Sequence, residues 1–484
     1  MIYQTKLYIG GKWIDATSGG VIDVINPSDE TPITTIASAS LNDLETAVEA
    51  AKAGFEDYRK YTVNQRMELL YEIVNRFEGR LEEAAQLIST EMGAPINLSR
   101  TLQAPSVISI FKSTINLLKD FEFTYRSGFT DILLEPVGVC GLITPWNWPL
   151  HQVASKVAPA LAAGCSMILK PSEFSPLSAG IFCEVLHEAG VPPGVFNLIH
   201  GEGHTIGRAI SRHPAIDMIS ITGSTHSGID VAIESAPYVK RITQELGGKS
   251  PFIILPGSDL DKAVTTCVQS CFKNSGQSCN APSRLLVCEE DYAQAVKVAK
   301  KAASSLRVGP ALAEQSDLGP LVNKTQYEHV KSLIYKGIEE GAELVAGGPE
   351  EPRGLEKGYF VNPTIFGNVC NSMSIAQTEV FGPVLCIIKY RTEEEAISIA
   401  NETEYGLSAY VFSGSKGITS EFISSLKVGM VHIDGAPLDI AAPFGGRKKS
   451  GNGRERGRPG LEEFLEYKSI FHTSKNSEIG TTAK

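Results

Sequence analysis

VGVCGLITPWNWP (residues 137–149) and SMILKPSE (residues 166–173) decide the architecture of this chain, because each is a short apolar run that stops abruptly at a proline-containing polar turn. Runs of four to eight apolar residues separated by helix-length stretches are the pattern of βαβ units and a parallel sheet. Three further runs, Val195–Ile199, Asp217–Ile221 and Arg241–Leu246, continue the series. The helix after the second run opens at Ser175-Pro176, with proline at its first turn, and stops at Gly190 before Pro192.

A second series begins near Phe252, with apolar runs at Ser283–Cys288, Val384–Tyr390, Leu407–Phe412 and Val428–Ile433 and helical stretches at Asp291–Leu306 and Thr325–Glu340 between them. The fold class is therefore α/β with two parallel-sheet domains. Upstream, Gly10-Gly11 between Leu7-Tyr8-Ile9 and Lys12-Trp13-Ile14 predicts a tight hairpin. Ser40 to Tyr61 reads as a helix, and Thr62-x-x-Gln65 is a capping box opening another, with apolar Met67, Leu70, Ile73, Val74, Phe77 and Leu81, that runs to Gly93 and Pro95. Phe121 to Glu135 and the tail from Leu461 fit neither series and predict extra strands.

Composition narrows the function. The 484 residues carry a net charge of -11 and 42% hydrophobic residues, an acidic balance without a long basic block that excludes a general nucleic-acid binder. Nine cysteines, an odd number with no C-x-x-C pair, give neither a disulfide framework nor a metal site. They read as reduced thiols, and the start MIYQTKLYIGGKWID lacks a signal-peptide pattern, so a cytoplasmic protein is expected. The longest apolar stretch, Val157 to Leu169, is broken by Pro159 and Gly164, so no membrane span is expected.

Candidate chemistry sits where the runs end. Asn147, in Thr144-Pro145-Trp146-Asn147-Trp148-Pro149, carries an amide able to donate to a developing oxyanion; a rigid turn with Asn147 capping local backbone is the other reading. Lys170-Pro171-Ser172-Glu173 places an ammonium and a carboxylate where ribose hydroxyls could bind, or forms a surface ion pair. No G-x-G-x-x-G occurs. Instead Gly201-x-Gly203-x-x-x-Gly207 and Thr222-Gly223-Ser224 each lead toward a helix, as pyrophosphate sites or as plain turns. Glu245 before Leu246-Gly247-Gly248 is a candidate general base or an ordinary strand end. Cys279 stands in the polar stretch Asn274-Ser275-Gly276-Gln277-Ser278-Cys279-Asn280, a setting expected to favour thiolate, whereas Cys140, Cys165 and Cys386 lie inside apolar runs and Cys271 in a helix.

Taken together, and with Glu379-Val380-Phe381-Gly382-Pro383, Pro443-Phe444-Gly445-Gly446 and Ser450-Gly451-x-Gly453, these motifs stand in the order and spacing of the NAD(P)-dependent aldehyde dehydrogenase superfamily, which the chain resembles over nearly its whole length. The resemblance implies a Rossmann-like NAD-binding domain (1–117 and 137–247), a catalytic domain (248–446) and a small β oligomerisation element (118–136 and 461–484) serving a homodimer or homotetramer. It implies Cys279 as nucleophile, Asn147 as oxyanion donor and Glu245 as the base that hydrolyses a thioester, giving a carboxylic acid from a small-molecule aldehyde, expected to be a medium-sized aliphatic or aromatic one. Trp146, Ser224, Gly203 and Gly207 match the adenosine and pyrophosphate site, Lys170 and Glu173 the adenosine ribose, and Glu379 and Phe381 the nicotinamide ribose. Thr144, Ser172, Thr222, Gly223, Leu246 and Gly247 complete the cofactor set. Glu173 favours NAD over NADP by like-charge repulsion. The alternatives are a coenzyme A-acylating relative, which typically lacks the base, and a catalytically silent scaffold, which intact Cys279, Glu245 and Asn147 disfavour. Ile221 departs from the phenylalanine often found before Thr-Gly-Ser.

Overall fold

A computed structural model describes residues 5–415 and 417–473. The apolar runs of the first series form the centre of an eight-stranded sheet in which Phe196–Leu198, Ser166–Lys170, Val139–Ile143, Met218–Thr222 and Arg241–Glu245 lie side by side in that order and all parallel. In chain order this is 3-2-1-4-5, so the connections diverge on either side of Val139–Ile143, and the carboxyl ends of that strand and of Met218–Thr222 flank the crevice where such sheets bind ligands. The hairpin Leu7–Ile9 and Lys12–Ile14 caps one edge antiparallel, its turn made by Gly10 and Gly11 at positive φ. The expected Rossmann-like half is thus present.

The second series makes a seven-stranded sheet: Glu343–Ala346, Thr364–Gly367, Val384–Tyr390, Arg284–Cys288, Pro251–Ile254, Ser408–Phe412 and Met430–Ile433, parallel except at the first pair. Its central strands are buried on both faces, which is why they read as unbroken apolar runs and not as alternating ones. Arg284 is fully buried there and donates to the carbonyls of Lys249, Ile399 and Ala400 and to the Asn371 side chain. The segments that fitted neither series do form strands: Thr124–Ser127, Thr130–Pro136 and Leu465–Phe471 build a separate antiparallel sheet. The expected tail reached 484; residues 474–484 lie outside the described residues.

One expectation needs correction. The helix opened by Thr62 does not continue to Gly93. It ends at Glu78, where Arg80 leaves helical geometry at φ −112°, ψ 7°, and a separate helix Leu81–Met92 begins, capped by left-handed Gly93. Leu81 keeps the apolar phase across the break, so periodicity alone concealed it. The hairpin Val21–Asn26 with Thr31–Ala37 went unread. Among the described residues no helix is long and apolar enough to cross a membrane.

Candidate active site

The carboxyl ends of the first sheet face the amino ends of the second, and the site lies between them. A cleft of about 620 Å³ opens there, and every residue predicted for catalysis or cofactor binding lines it. A second cavity, of about 450 Å³, is walled by aromatic side chains that include Trp148, Phe252, Tyr410 and Phe444. Among the described residues the two cavities have a single lining residue in common, Cys279.

Cys279 sits in the loop before the strand Arg284–Cys288, and this loop is unusually constrained. Asn274, Ser275 and Gly276 are all left-handed, at φ 55°, 56° and 74°. A Cβ at Gly276 would stand 2.1 Å from the Gly382 carbonyl oxygen, so only glycine fits. Side chains over-determine the strained path. Asn274 Nδ2 donates to the Asn147 carbonyl (2.9 Å) and the Gln277 carbonyl (3.3 Å), and Ser275 Oγ donates to the Gly319 carbonyl (2.8 Å). For the non-glycine Asn274 and Ser275 such strain, about 1–3 kcal/mol each, persists where surrounding contacts enforce it. Asn147, held by the same network, donates from Nδ2 to the Gln277 carbonyl at 3.1 Å, which leaves its second N–H available. Trp148 Nε1 donates to Ser278 Oγ at 2.8 Å, pinning the neighbour of the thiol.

Glu245 ends its strand buried, with both carboxylate oxygens lacking a hydrogen-bond partner among the described residues. Room for it depends on Gly445, where a Cβ would lie 2.5 Å from Glu245 Oε1. Burial first, then the charge of Glu455, raises the Glu245 carboxyl well above the ordinary carboxylate range, against Lys156, Arg454 and Arg456. Glu379, which accepts from the Gly248 N–H at 2.9 Å, is pushed up to about 7 by burial.

The local polarity around Cys279 does not have the expected effect. Burial and the carboxylates of Glu245, Glu379 and Glu455 raise the thiol, so its resting form is protonated and a base has to remove that proton. The sequence neighbours are polar, but the spatial neighbours are acids contributed by distant segments. Cys271 is buried, with Sγ toward the Val384 carbonyl at 3.6 Å, consistent with a packing role.

In the cleft, Lys170 Nζ pairs with Glu173 Oε2 at 3.3 Å. Ser224 caps the helix Thr225–Ser235 by accepting from the Ser227 N–H, and Gly203 has nothing within 4 Å of where a Cβ would be. Trp146 meets Phe381 edge to face at 5.3 Å between ring centres.

The sequence profile of the aldehyde dehydrogenase family matches residues 13–470. The chain belongs to the aldehyde dehydrogenase family. A 3-succinoylsemialdehyde-pyridine dehydrogenase from a Pseudomonas species is 47% identical over 96% of this chain and 98% of its own length. Two solved structures are also similar. Aldehyde dehydrogenase C of Pseudomonas syringae, a cysteine-to-alanine variant in complex with NAD+ and octanal, has a TM-score of 0.95 at 45% identity, covering 99% of this chain and 98% of that one. An NAD+ complex of the Bacillus cereus aldehyde dehydrogenase has a TM-score of 0.93 at 36% identity, covering 97% and 96%.

Several residues that shape this aldehyde dehydrogenase's site carried no signal in the sequence. Lys156, on the all-buried helix Pro149–Ala163, donates to Glu455 at 2.6 Å and to Ser220 at 3.0 Å, which fixes Glu455 near Glu245. Gln103 donates to Asn274 Oδ1 at 3.2 Å, and Gln277 Oε1 accepts from the Val322 N–H at 3.0 Å. The available clue for Lys156 was a charged residue in a helix that carries no other.

Proposed function

We propose that the chain oxidises an aldehyde to its carboxylic acid with NAD, through a thiohemiacetal and then a thioester on Cys279. The observation that carries this reading is the meeting of two separate cavities at one thiol: a cleft shaped for a dinucleotide and an aromatic tunnel for the aldehyde. The cleft suits the cofactor. Lys170 and Glu173 would hold the adenosine ribose, Ser224 and the open backbone at Gly203 and Gly207 the pyrophosphate beside a helix N-terminus, and Glu379 and Phe381 the nicotinamide ribose. When bound there, NAD supplies the hydride acceptor for the redox step.

The protein's own groups do the rest. Glu245, whose raised basicity brings it closer to that of a thiol, takes the Cys279 proton. The sulfur attacks the aldehyde carbon, and the Asn147 side-chain N–H and the Cys279 backbone N–H donate to the oxyanion that forms. After oxidation, once Glu245 has passed the thiol proton to solvent and is ionised again, it takes a proton from water, the oxygen adds to the thioester carbon, and the carbon–sulfur bond breaks to release acid and thiolate. Residues 1–117 with 137–247 would form the cofactor domain, 248–446 the catalytic domain, and 118–136 with 461–484 the element that joins two or four subunits.

Mixing the protein with NAD and a panel of aldehydes, with and without coenzyme A, tests this directly. NADH without coenzyme A is expected. No NADH from any aldehyde removes the oxidation reading, and strict dependence on coenzyme A replaces water with a thiol acceptor. Asn147→Ala should lower kcat/KM by roughly 10² to 10³-fold, the usual worth of one oxyanion donor, while Cys279 is still alkylated. Glu173→Gln should raise kcat/KM for NADP relative to NAD about tenfold by removing the charge that repels an added phosphate.

A further inference from the structure

The wall of the tunnel departs from the charge of the whole molecule. In a chain of net charge -11, the lining contains Lys273, Arg456, His151 and His432 but, among the described residues, no aspartate or glutamate. Arg456 is the exceptional member. Only 7% of it is exposed, and its Nε and Nη1 have no hydrogen-bond partner among the described residues. Its Nη2 meets His151 Nε2 at 2.7 Å, and its guanidinium lies 4.7 Å from the centre of the Phe444 ring. The adjacent Glu455 does not form its ion pair, being engaged by Lys156. Since His151 Nε2 accepts from the arginine, its proton resides on Nδ1, which is also buried and unpartnered.

The backbone adds a second, independent observation. Arg456 stands at φ 64°, ψ 169°, a region that glycine alone enters freely. A scaffold would ordinarily place glycine there and leave no charge behind. An arginine kept in that conformation, with donors unsatisfied, is an expensive feature unless a ligand supplies the acceptor. Resting on the oxidation described above, we propose that Arg456, with the His151 Nδ1–H beside it, is the receptor for a carboxylate on the substrate, so that the tunnel selects short aldehydes bearing an acid group a few carbons from the reacting carbon. The short span follows from position: Cys279, His151 and Arg456 line the same cavity of about 450 Å³. The aromatic side chains Trp148, Tyr410 and Phe444 then pack the carbons between.

Two readouts test the receptor, and one needs no turnover. Iodoacetate and iodoacetamide differ by the charge of one small group, and alkylation at Cys279 can be followed residue by residue by mass spectrometry. Relative to a free thiol, the wild-type protein should favour iodoacetate over iodoacetamide by at least about tenfold. Arg456→Gln should bring the ratio back to the free-thiol value, and Arg456→Lys should keep part of it. In the second readout, kcat/KM for 4-oxobutanoate should exceed that for butanal in the wild type, and this ratio should fall about tenfold or more in Arg456→Gln. A wild-type alkylation ratio at or below that of a free thiol overturns the proposal, as does an Arg456→Gln protein in which both ratios are unchanged. Should the glutamine variant not fold, the wild-type and lysine ratios decide it. Because alkylation proceeds without NAD, a protein that oxidises no aldehyde refutes the reaction assigned above while the alkylation ratio still decides the receptor.

Discussion

Cys279→Ala yields a folded protein that forms NADH from aldehydes at least roughly 10⁴-fold more slowly than the parent, yet binds NAD with nearly unchanged affinity. The asymmetry follows from where the thiol sits. Its sulfur stands at the junction of the two cavities, whereas the residues proposed to hold adenosine and pyrophosphate, Lys170, Glu173, Ser224 and the glycine turns, line the cleft and are not touched by the substitution. Quenching of Trp146 fluorescence in the cleft measures the binding arm and NADH absorbance the turnover arm. Cys271→Ala is the control. That side chain is buried against the Val384 carbonyl, away from both cavities, so the variant should remain active with a small loss of stability. Equal losses in both variants would show that the nucleophile is another group.

Glu245→Gln should separate the two halves of the reaction. The amide keeps the shape of the carboxylate in its enclosed position but cannot accept a proton, so water is no longer activated. Steady-state turnover should fall by roughly 10² to 10⁴-fold, the range for a lost general base, with a burst of NADH close to one per site before it. The pH dependence carries a sign. Only the ionised carboxylate accepts a proton, so parental deacylation rises with pH through the raised ionisation of Glu245, and this limb should vanish in the variant. If the burst disappears as well, Glu245 is required earlier, to take the thiol proton from a Cys279 that burial and nearby acids hold protonated.

The sheets were legible because strands buried on both faces appear as uninterrupted apolar runs, and their ends were marked by the polar turns at Thr144, Lys170, Thr222 and Glu245. Phase continuity hid the helix break near Arg80, since Leu81 falls where an unbroken helix would also have placed an apolar residue. The candidate site was legible as a set of positions, and all of them do line one cleft. Its electrostatics were not. The charges that act on Cys279 come from Glu245, Glu379 and Glu455, segments that only the folded topology brings together. Arg456 was equally hidden, because in Gly453-Arg454-Glu455-Arg456-Gly457-Arg458 it looks like one more charge on a solvated surface.

The Asn274 amide has one further consequence. Cys279, the proposed nucleophile, lies in the loop that enters the second sheet and Asn147 in a loop that leaves the first, and the Asn274 side chain links the two loops by donating to both the Asn147 and Gln277 carbonyls. Catalytic rate is therefore a gauge of how well the two sheets stay docked. A small parting between them would leave each sheet's own ladder intact, invisible to circular dichroism, while the oxyanion donor drew away from the sulfur. On heating, activity should fade before secondary structure does, and the gap between those two temperatures measures the looseness of the seam.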